Sequence, residues 1–303
     1  MKSDNQLTQS ILLTGATGLI GSHLVPALDD HSLLVYLGRS AHAHRPSAFV
    51  PTDLSTDWDT AILPPKIDNI VYLAQSDYFR DFPDKAKDIF AVNTSSVLKL
   101  LEYARQAGAQ RFIYASSGGV YGPSNTALNE ESHLALRDNL GFYLSTKLCS
   151  EALLENYAAY MQIIILRFFF VYGPGQRKDM LIPRLIQRVH QELPLLLQGE
   201  DGLSLNPIYV VDAVSAIKQA LQLTGNHKIN IGGPDVLNLR QLGVEIANQL
   251  GKKPFFKFEN QEASHLIADI TRMKELLGAP ITSFSKGLSN MNMAKNAGPF
   301  NGP

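Results

Sequence analysis

The sequence predicts an α/β protein, a doubly wound parallel sheet joined to a smaller C-terminal lobe. Two observations carry this. Over the first two thirds, short runs rich in Val, Ile, Leu and Phe alternate with longer amphipathic segments, and after Pro174 that alternation changes. Strand-like runs occupy 10–14, 33–37, 70–73, 111–115 and 163–169; their unbroken apolar character suits parallel strands buried on both faces. Helical patterns fall between them at 18–28, 84–107 and 143–160, which gives the βαβ rhythm of a sheet covered on both sides. Further on, 180–191, 212–223 and 239–250 read as helices and 228–231 as one more strand. The expected division is 1–173 for the sheet domain, with 207–234 returning to it, and 174–303 mainly for the smaller lobe; the stretch 294–303 reads as a fraying tail.

The totals exclude several classes. With 303 residues, 45% hydrophobic and 18% charged, the chain is long enough for a large α/β unit or two domains. A net charge of −1 leaves no basic stripe for nucleic acid or an acidic membrane. One cysteine, Cys149, cannot make an internal disulfide; it is expected to pack in the core of a helix, and a reducing, cytoplasmic setting follows. The first ten residues are polar, and the most apolar stretch, 163–172, is interrupted by Arg167 and far short of the roughly 20 residues of a membrane helix. No metal site is expected.

The chemistry starts at Ile11-Leu12-Leu13-Thr14-Gly15-Ala16-Thr17-Gly18-Leu19-Ile20-Gly21, a strand, a glycine turn and a helix start. Gly15 permits the tight turn, Gly18 lets backbone N–H groups approach a pyrophosphate, and Gly21 lets the helix pack closely. The helix N-terminus, with Thr17, Leu19 and Ile20, then faces the phosphates. This is a dinucleotide-binding Rossmann arrangement. The second run ends in Leu37-Gly38-Arg39-Ser40, with Gly38 where an acid holding the ribose of NAD is expected. Arg39 and Ser40, with Arg45 close behind, favour the 2′-phosphate of NADP(H) over NAD(H).

Tyr143 and Lys147 stand four apart on one helix face. An ammonium beside a phenol lowers the phenol's pKa and lets it exchange a proton near neutral pH. Twenty-six residues earlier, the run Phe112-Ile113-Tyr114-Ala115 ends in Ser116-Ser117, where a hydroxyl can hold the reacting oxygen. Ser117, Tyr143 and Lys147 form the candidate catalytic set.

With these motifs the chain resembles the extended short-chain dehydrogenases/reductases, the NAD-dependent epimerase/dehydratase family. Ser116–Gly122 is similar to the family's Ser-Ser-x-x-Val-Tyr-Gly segment. The resemblance adds dinucleotide contacts at Asp53-Leu54, Leu73-Ala74, Gln75 (in place of a second Ala), Asn93, Ser116 and Val171. It implies hydride transfer at a sugar carbon of a nucleotide sugar, by a 4-ketoreductase or 4-epimerase. It also implies a homodimer through the 84–107 and 143–160 helices, whose Ile89, Val92, Leu98, Leu101, Leu148, Leu153 and Leu154 are apolar on more than one face. Three departures narrow this. Gly118-Gly119 replaces the Asp-Glu pair of the dehydratases and cannot move a proton, which argues against a 4,6-dehydratase. Phe170 and Leu205 stand where an Asn and an Arg near the substrate diphosphate are expected, with Arg177, Lys178, Arg184 and Arg188 as substitutes. Two alternatives stay open: a reductase of a non-nucleotide carbonyl compound, and a non-catalytic dinucleotide sensor.

Overall fold

The computed structural model describes residues 9–28, 33–41, 49–135 and 140–291; Arg45 and the 294–303 tail lie outside them. The chain forms two compact units. The first takes residues up to Val120, Ala135–Arg167 and Ile217–Ile229; the second takes Tyr121–Leu134, Phe168–Ala216 and residues from Asn230 onward.

A seven-stranded sheet builds the first unit. In chain order its strands are β1 (Ser10–Thr14), β2 (Leu33–Gly38), β3 (Phe49–Pro51), β4 (Asn69–Tyr72), β5 (Arg111–Ser117), β6 (Gln162–Phe168) and β11 (His227–Ile231). They lie in the order β11-β6-β5-β4-β1-β2-β3. β1 pairs in parallel with both β2 and β4, so the chain reverses direction across the sheet at the β1/β4 edge. In such sheets ligands bind outside the carboxyl ends of the strands at this switch point. The expected strands all formed, with ends within two residues. β3 was not expected, because three residues carry too little pattern to stand out.

Parallel strands need covered faces, and the burial shows it. Leu12, Leu13, Ile70, Val71, Phe112, Ile113, Ile164 and Leu166 are out of contact with water. Among the helices against this sheet, α1 (Leu19–Ala27) follows the glycine turn, and α2 (Ala86–Phe90) runs through one π-helical turn at Ala91–Ser95 into α3 (Ser96–Gln106). After them comes α4 (Gly141–Asn156), which buries Thr146, Lys147, Ser150, Glu151 and Leu154, a single stripe at helical spacing. Cys149 falls off that stripe and is exposed, so the expected core packing is corrected by the helix's rotation.

The second unit holds β7 (Val171–Tyr172), α5 (Leu181–His190), β8 (Leu195–Gln198), β9 (Ser204–Leu205), β10 (Ile208–Tyr209) and most of α6 (Val210–Ala220). β12 (Leu237–Asn238), α7 (Leu239–Leu250), β13 (Phe256–Glu259), α8 (Thr271–Leu277) and α9 (Phe284–Asn290) complete it. Among the described residues its sheets are three two-stranded pairs, β10 with β7, β12 with β9 and β13 with β8. The helix expected at 239–250 formed with those bounds because Asn238 and Gln241 make a reciprocal capping box and Gly251 ends it left-handed. No helix among the described residues is long and apolar enough to cross a membrane.

Candidate functional site

The glycine turn meets its neighbours at backbone contact. Gly15 has a φ of +72°, and a Cβ there would come within 2.8 Å of the Ala74 nitrogen; one on Gly21 would lie 2.1 Å from the Gly15 carbonyl oxygen. Thr14 draws the same segment in, its Oγ1 accepting from the Leu73 and Ala74 N–H groups at 3.2 and 3.1 Å. The turn after β1 and the turn after β4 are thus locked side by side at the switch point. Gly18 begins α1 and no side chain caps that helix, so its first-turn donors suit a pyrophosphate. Thr17 and Gly18 are exposed, with Leu19 and Ile20 half-buried behind them. These residues fit a dinucleotide.

At the end of β2, Arg39 is exposed, and its Nη2 pairs with Asp77 Oδ2 at 2.5 Å. The hydrogen bond to Asp77 raises the guanidinium's pKa, and the charges of Asp77, Asp53 and Asp88 add to it. Ser40 is exposed beside it. Asp53 Oδ1 accepts from the backbone and hydroxyl of Ser55 at 2.9 and 2.7 Å, which lowers its pKa. Leu54 is buried, and its carbonyl accepts from Ser96 Oγ.

Tyr143, Lys147 and Ser117 come together in the first unit. Tyr143 is half-buried at the start of the α4 stripe. Its hydroxyl donates to Gln75 Oε1 at 2.9 Å, and the ring of Phe79 packs on it with centroids 5.3 Å apart. Desolvation raises the phenol's pKa, opposed by a hydrogen bond with Ser117. Ser117 Oγ also accepts from the Gly119 N–H at 3.2 Å. Lys147 is 3% exposed; its Nζ donates to the Ala115 carbonyl at 2.8 Å and lies over the rings of Tyr114 and Tyr143, 4.9 and 5.9 Å from their centroids. Burial pulls its pKa down to about 7, with Glu151 pulling it back up. The sequence predicted a phenol lowered by its lysine. The structure has instead a raised phenol, because the phenol itself is desolvated by burial.

Two expected dinucleotide contacts are committed elsewhere. Asn93 is fully buried in the π-helical turn. Its Oδ1 accepts from the Ser76 N–H, its Nδ2 donates to Thr146 Oγ1, and its carbonyl accepts from Ser150. Ser116 donates to Glu151 Oε1 at 2.5 Å. Glu151 and Arg167, 3% and 2% exposed, form a two-pronged pair at 3.1 and 2.5 Å. Sequence reading missed Glu151, although it stands four residues after Lys147, and took Arg167 as a break in an apolar run and, with Leu166, as a landmark of the family it resembles. Val171 is on β7 of the second unit. Also in that unit, Leu205 is buried between Leu237 and Leu266, and Phe170 adopts a φ of +46°. Arg177 pairs with Asp179 and Arg188 donates to the Pro194 carbonyl, while Arg184 is exposed on α5. Among the described residues no His, Cys, Asp and Glu cluster suits a metal ion.

A switch-point glycine turn with Ser, Tyr and Lys in the same unit defines an extended short-chain dehydrogenase/reductase. The family model described as NAD dependent epimerase/dehydratase family matches residues 11–232, and the chain belongs to that family. It is 33% identical, over 92% of this chain and 96% of the relative, to the uncharacterized UDP-glucose epimerase YtcB of Bacillus subtilis (strain 168). Over 61% of each chain it is 32% identical to a dTDP-4-dehydro-6-deoxyglucose reductase of Escherichia coli. The crystal structure of UDP-glucuronic acid 4-epimerase from Bacillus cereus, in complex with UDP-glucuronic acid and NAD, superposes with a TM-score of 0.82 at 27% identity, covering 95% of this chain and 100% of that one. The chain is thus an enzyme of NAD-dependent epimerase/reductase type.

The buried amine makes a stability prediction. Lys147 has a folded pKa near 7 against an ordinary value of 10.5. The unfolded chain therefore binds the extra proton between those values, and folding loses stability as pH falls through that window. Lys147→Met removes this cost. Its melting temperature relative to wild type should be highest near pH 7 and the gap should narrow toward pH 10; a gap independent of pH would show an amine that stays charged.

Proposed function

We propose that this enzyme transfers a hydride at a sugar carbon of a nucleotide sugar, as a 4-epimerase or 4-ketoreductase and not as a 4,6-dehydratase. The observation that carries it is the end of β5. There Ser117, its Oγ accepting from the Gly119 N–H, ends the strand in the same unit as the Tyr143 phenol, and the next two residues are Gly118 and Gly119. Proton transfer to or from a sugar oxygen is provided for, and no side chain follows Ser117 that could take a proton from carbon. A bound nicotinamide dinucleotide supplies or accepts the hydride. Tyr143 moves the proton, Ser117 orients the reacting oxygen, and Lys147 holds the ribose and supplies positive charge. Gly15, Thr17, Gly18, Leu19, Ile20 and Gly21 cradle the phosphates, with Asp53, Leu54, Leu73 and Ala74 around the adenosine. The names of similar proteins support the substrate class. The single cysteine supports a cytoplasmic setting.

For the cofactor, the sequence favoured NADP(H) through Arg39. The Asp77 partner and the charges of Asp53 and Asp88 weigh the other way, since a 2′-phosphate would enter a field of carboxylates. We propose NAD(H), in line with the NAD in the similar crystal structure.

A homodimer through α3 and α4 belongs to the same proposal. Ile89, Val92, Leu101 and Leu154 are spent in the core of the first unit, which leaves Phe90 at the end of α2 and Leu98 on α3, 46% and 41% exposed, with the half-buried Leu148 and Leu153 on α4, as the apolar surface.

Tyr143→Phe should lower turnover of UDP-glucose, UDP-glucuronic acid or a dTDP-4-keto sugar by about 10²–10⁴-fold, with dinucleotide affinity within a few-fold of wild type. More than a tenth of wild-type activity would remove Tyr143 from the chemistry. In calorimetric titration, NADH should bind at least as tightly as NADPH, and Asp77→Ala should shift the balance toward NADPH by about two- to fivefold, the worth of an exposed pair. Wild-type preference for NADPH by tenfold would restore Arg39 as a phosphate ligand. Light scattering at micromolar concentration should give twice the chain mass; a monomer rules out the α3/α4 pairing.

A further inference from the structure

An amide carbonyl only accepts hydrogen bonds, so the bond between Tyr143 and Gln75 Oε1 requires a phenol that still carries its proton. A phenolate has nothing to donate there, and the two oxygens then repel. The bond therefore favours one protonation state of the reacting hydroxyl. Gln75 is held where it can do this. It follows β4 at the switch point, in a turn whose backbone is fastened to Thr14 Oγ1 on one side and to Asn93 Oδ1, through the Ser76 N–H, on the other. Phe79 from the same segment lies against the Tyr143 ring. The charged groups on the elements around the phenol are Lys147, Glu151 and Glu155 on α4, Arg111 on β5 (which donates to Asn69 and the Leu223 carbonyl), Arg167 on β6, and Asp77 and Arg80 beside Gln75; Tyr114 on β5 and Tyr78 beside Gln75 also carry titratable hydroxyls. Of the cations, Arg167 is taken up by Glu151, Arg80 lies over the Phe79 ring, and the Lys147 amine donates to Ala115.

We propose that Gln75 is a positioning residue for the reaction: its side-chain carbonyl keeps Tyr143 in the proton-bearing form, which sets the resting site to give a proton to a carbonyl oxygen rather than take one from an alcohol. This rests on the function proposed above and deepens it toward ketone reduction. The balance is simple. The carbonyl carbon takes a hydride, with its electron pair, from a reduced nicotinamide dinucleotide; the oxygen takes the Tyr143 proton; the product is an alcohol, and the phenolate left behind regains its proton from water and its bond to Gln75. Oxidation of an alcohol, the opening half of an epimerisation, runs the other way and must first break that bond.

The test is a spectroscopic pH titration of tyrosinate in the ligand-free protein. Subtracting the same titration in a Tyr143→Phe background isolates Tyr143 from the other ten of 11 tyrosines. Gln75→Ala should lower the Tyr143 titration midpoint by about one pH unit, the tenfold effect of one hydrogen bond to the neutral form. Gln75→Glu, which can only accept and adds a negative charge, should raise it. Gln75 is exposed, so circular dichroism should show both variants folded. An unchanged midpoint in Gln75→Ala overturns the proposal, and so does a raised one, which would mean that the amide nitrogen faces the phenol and favours phenolate. As a second readout, the alkaline limb of kcat for ketone reduction should move to lower pH by the same unit. If no nucleotide sugar is turned over, the substrate assignment fails, while the titration still decides the role of Gln75.

Discussion

A carboxylate withdrawn from water must be met by opposite charge and hydrogen-bond donors, and at Glu151 that requirement fixes how α4 lies on β5 and β6. Arg167 grips both oxygens from β6 and Ser116 donates from β5. Removing one partner of such a pair strands a buried charge at a cost of about 3–5 kcal/mol, so the helix has little freedom to rotate or slide. Lys147 stands one turn before Glu151 and Tyr143 one turn before that. The positions of the amine and the phenol therefore follow from an ion pair that takes no part in the chemistry.

The same geometry explains the unusual proton balance of the site. An ammonium in a dry location is disfavoured, and only Glu151, one turn away, offsets this. The phenol is likewise desolvated and turned toward an amide acceptor. Both groups of the ligand-free enzyme are thus biased to neutrality. A dinucleotide whose nicotinamide is oxidised brings positive charge, and one whose phosphates sit at α1 brings negative charge, so ligand binding acts directly on both equilibria.

What was legible in the sequence was local. Gly15 and Gly21 announce their turn because only glycine fits contacts of 2.1–2.8 Å with backbone. Tyr143 and Lys147 share a face because helices repeat every 3.6 residues. The strands announce themselves because two-sided burial demands continuous apolar runs. Arg39 was legible as a cation at the end of β2. Its partner Asp77 was not, because 38 residues and two strands separate them in the chain.

The sequence by itself determined the fold class and the glycine turn that starts the strand order, since each rests on periodicity or on spacing within one element and its turn, and it nominated Ser117, Tyr143 and Lys147 from a strand end and one helix face. Tertiary structure alone decided the proton states and the electrostatic neighbourhoods. Whether Lys147 is solvated, whether Cys149 faces the core or water, which carboxylates surround Arg39 and what accepts the Tyr143 proton depend on segments brought together by the sheet. Desolvation and Coulomb terms fall off with distance in space, and the sequence records distance only along the chain.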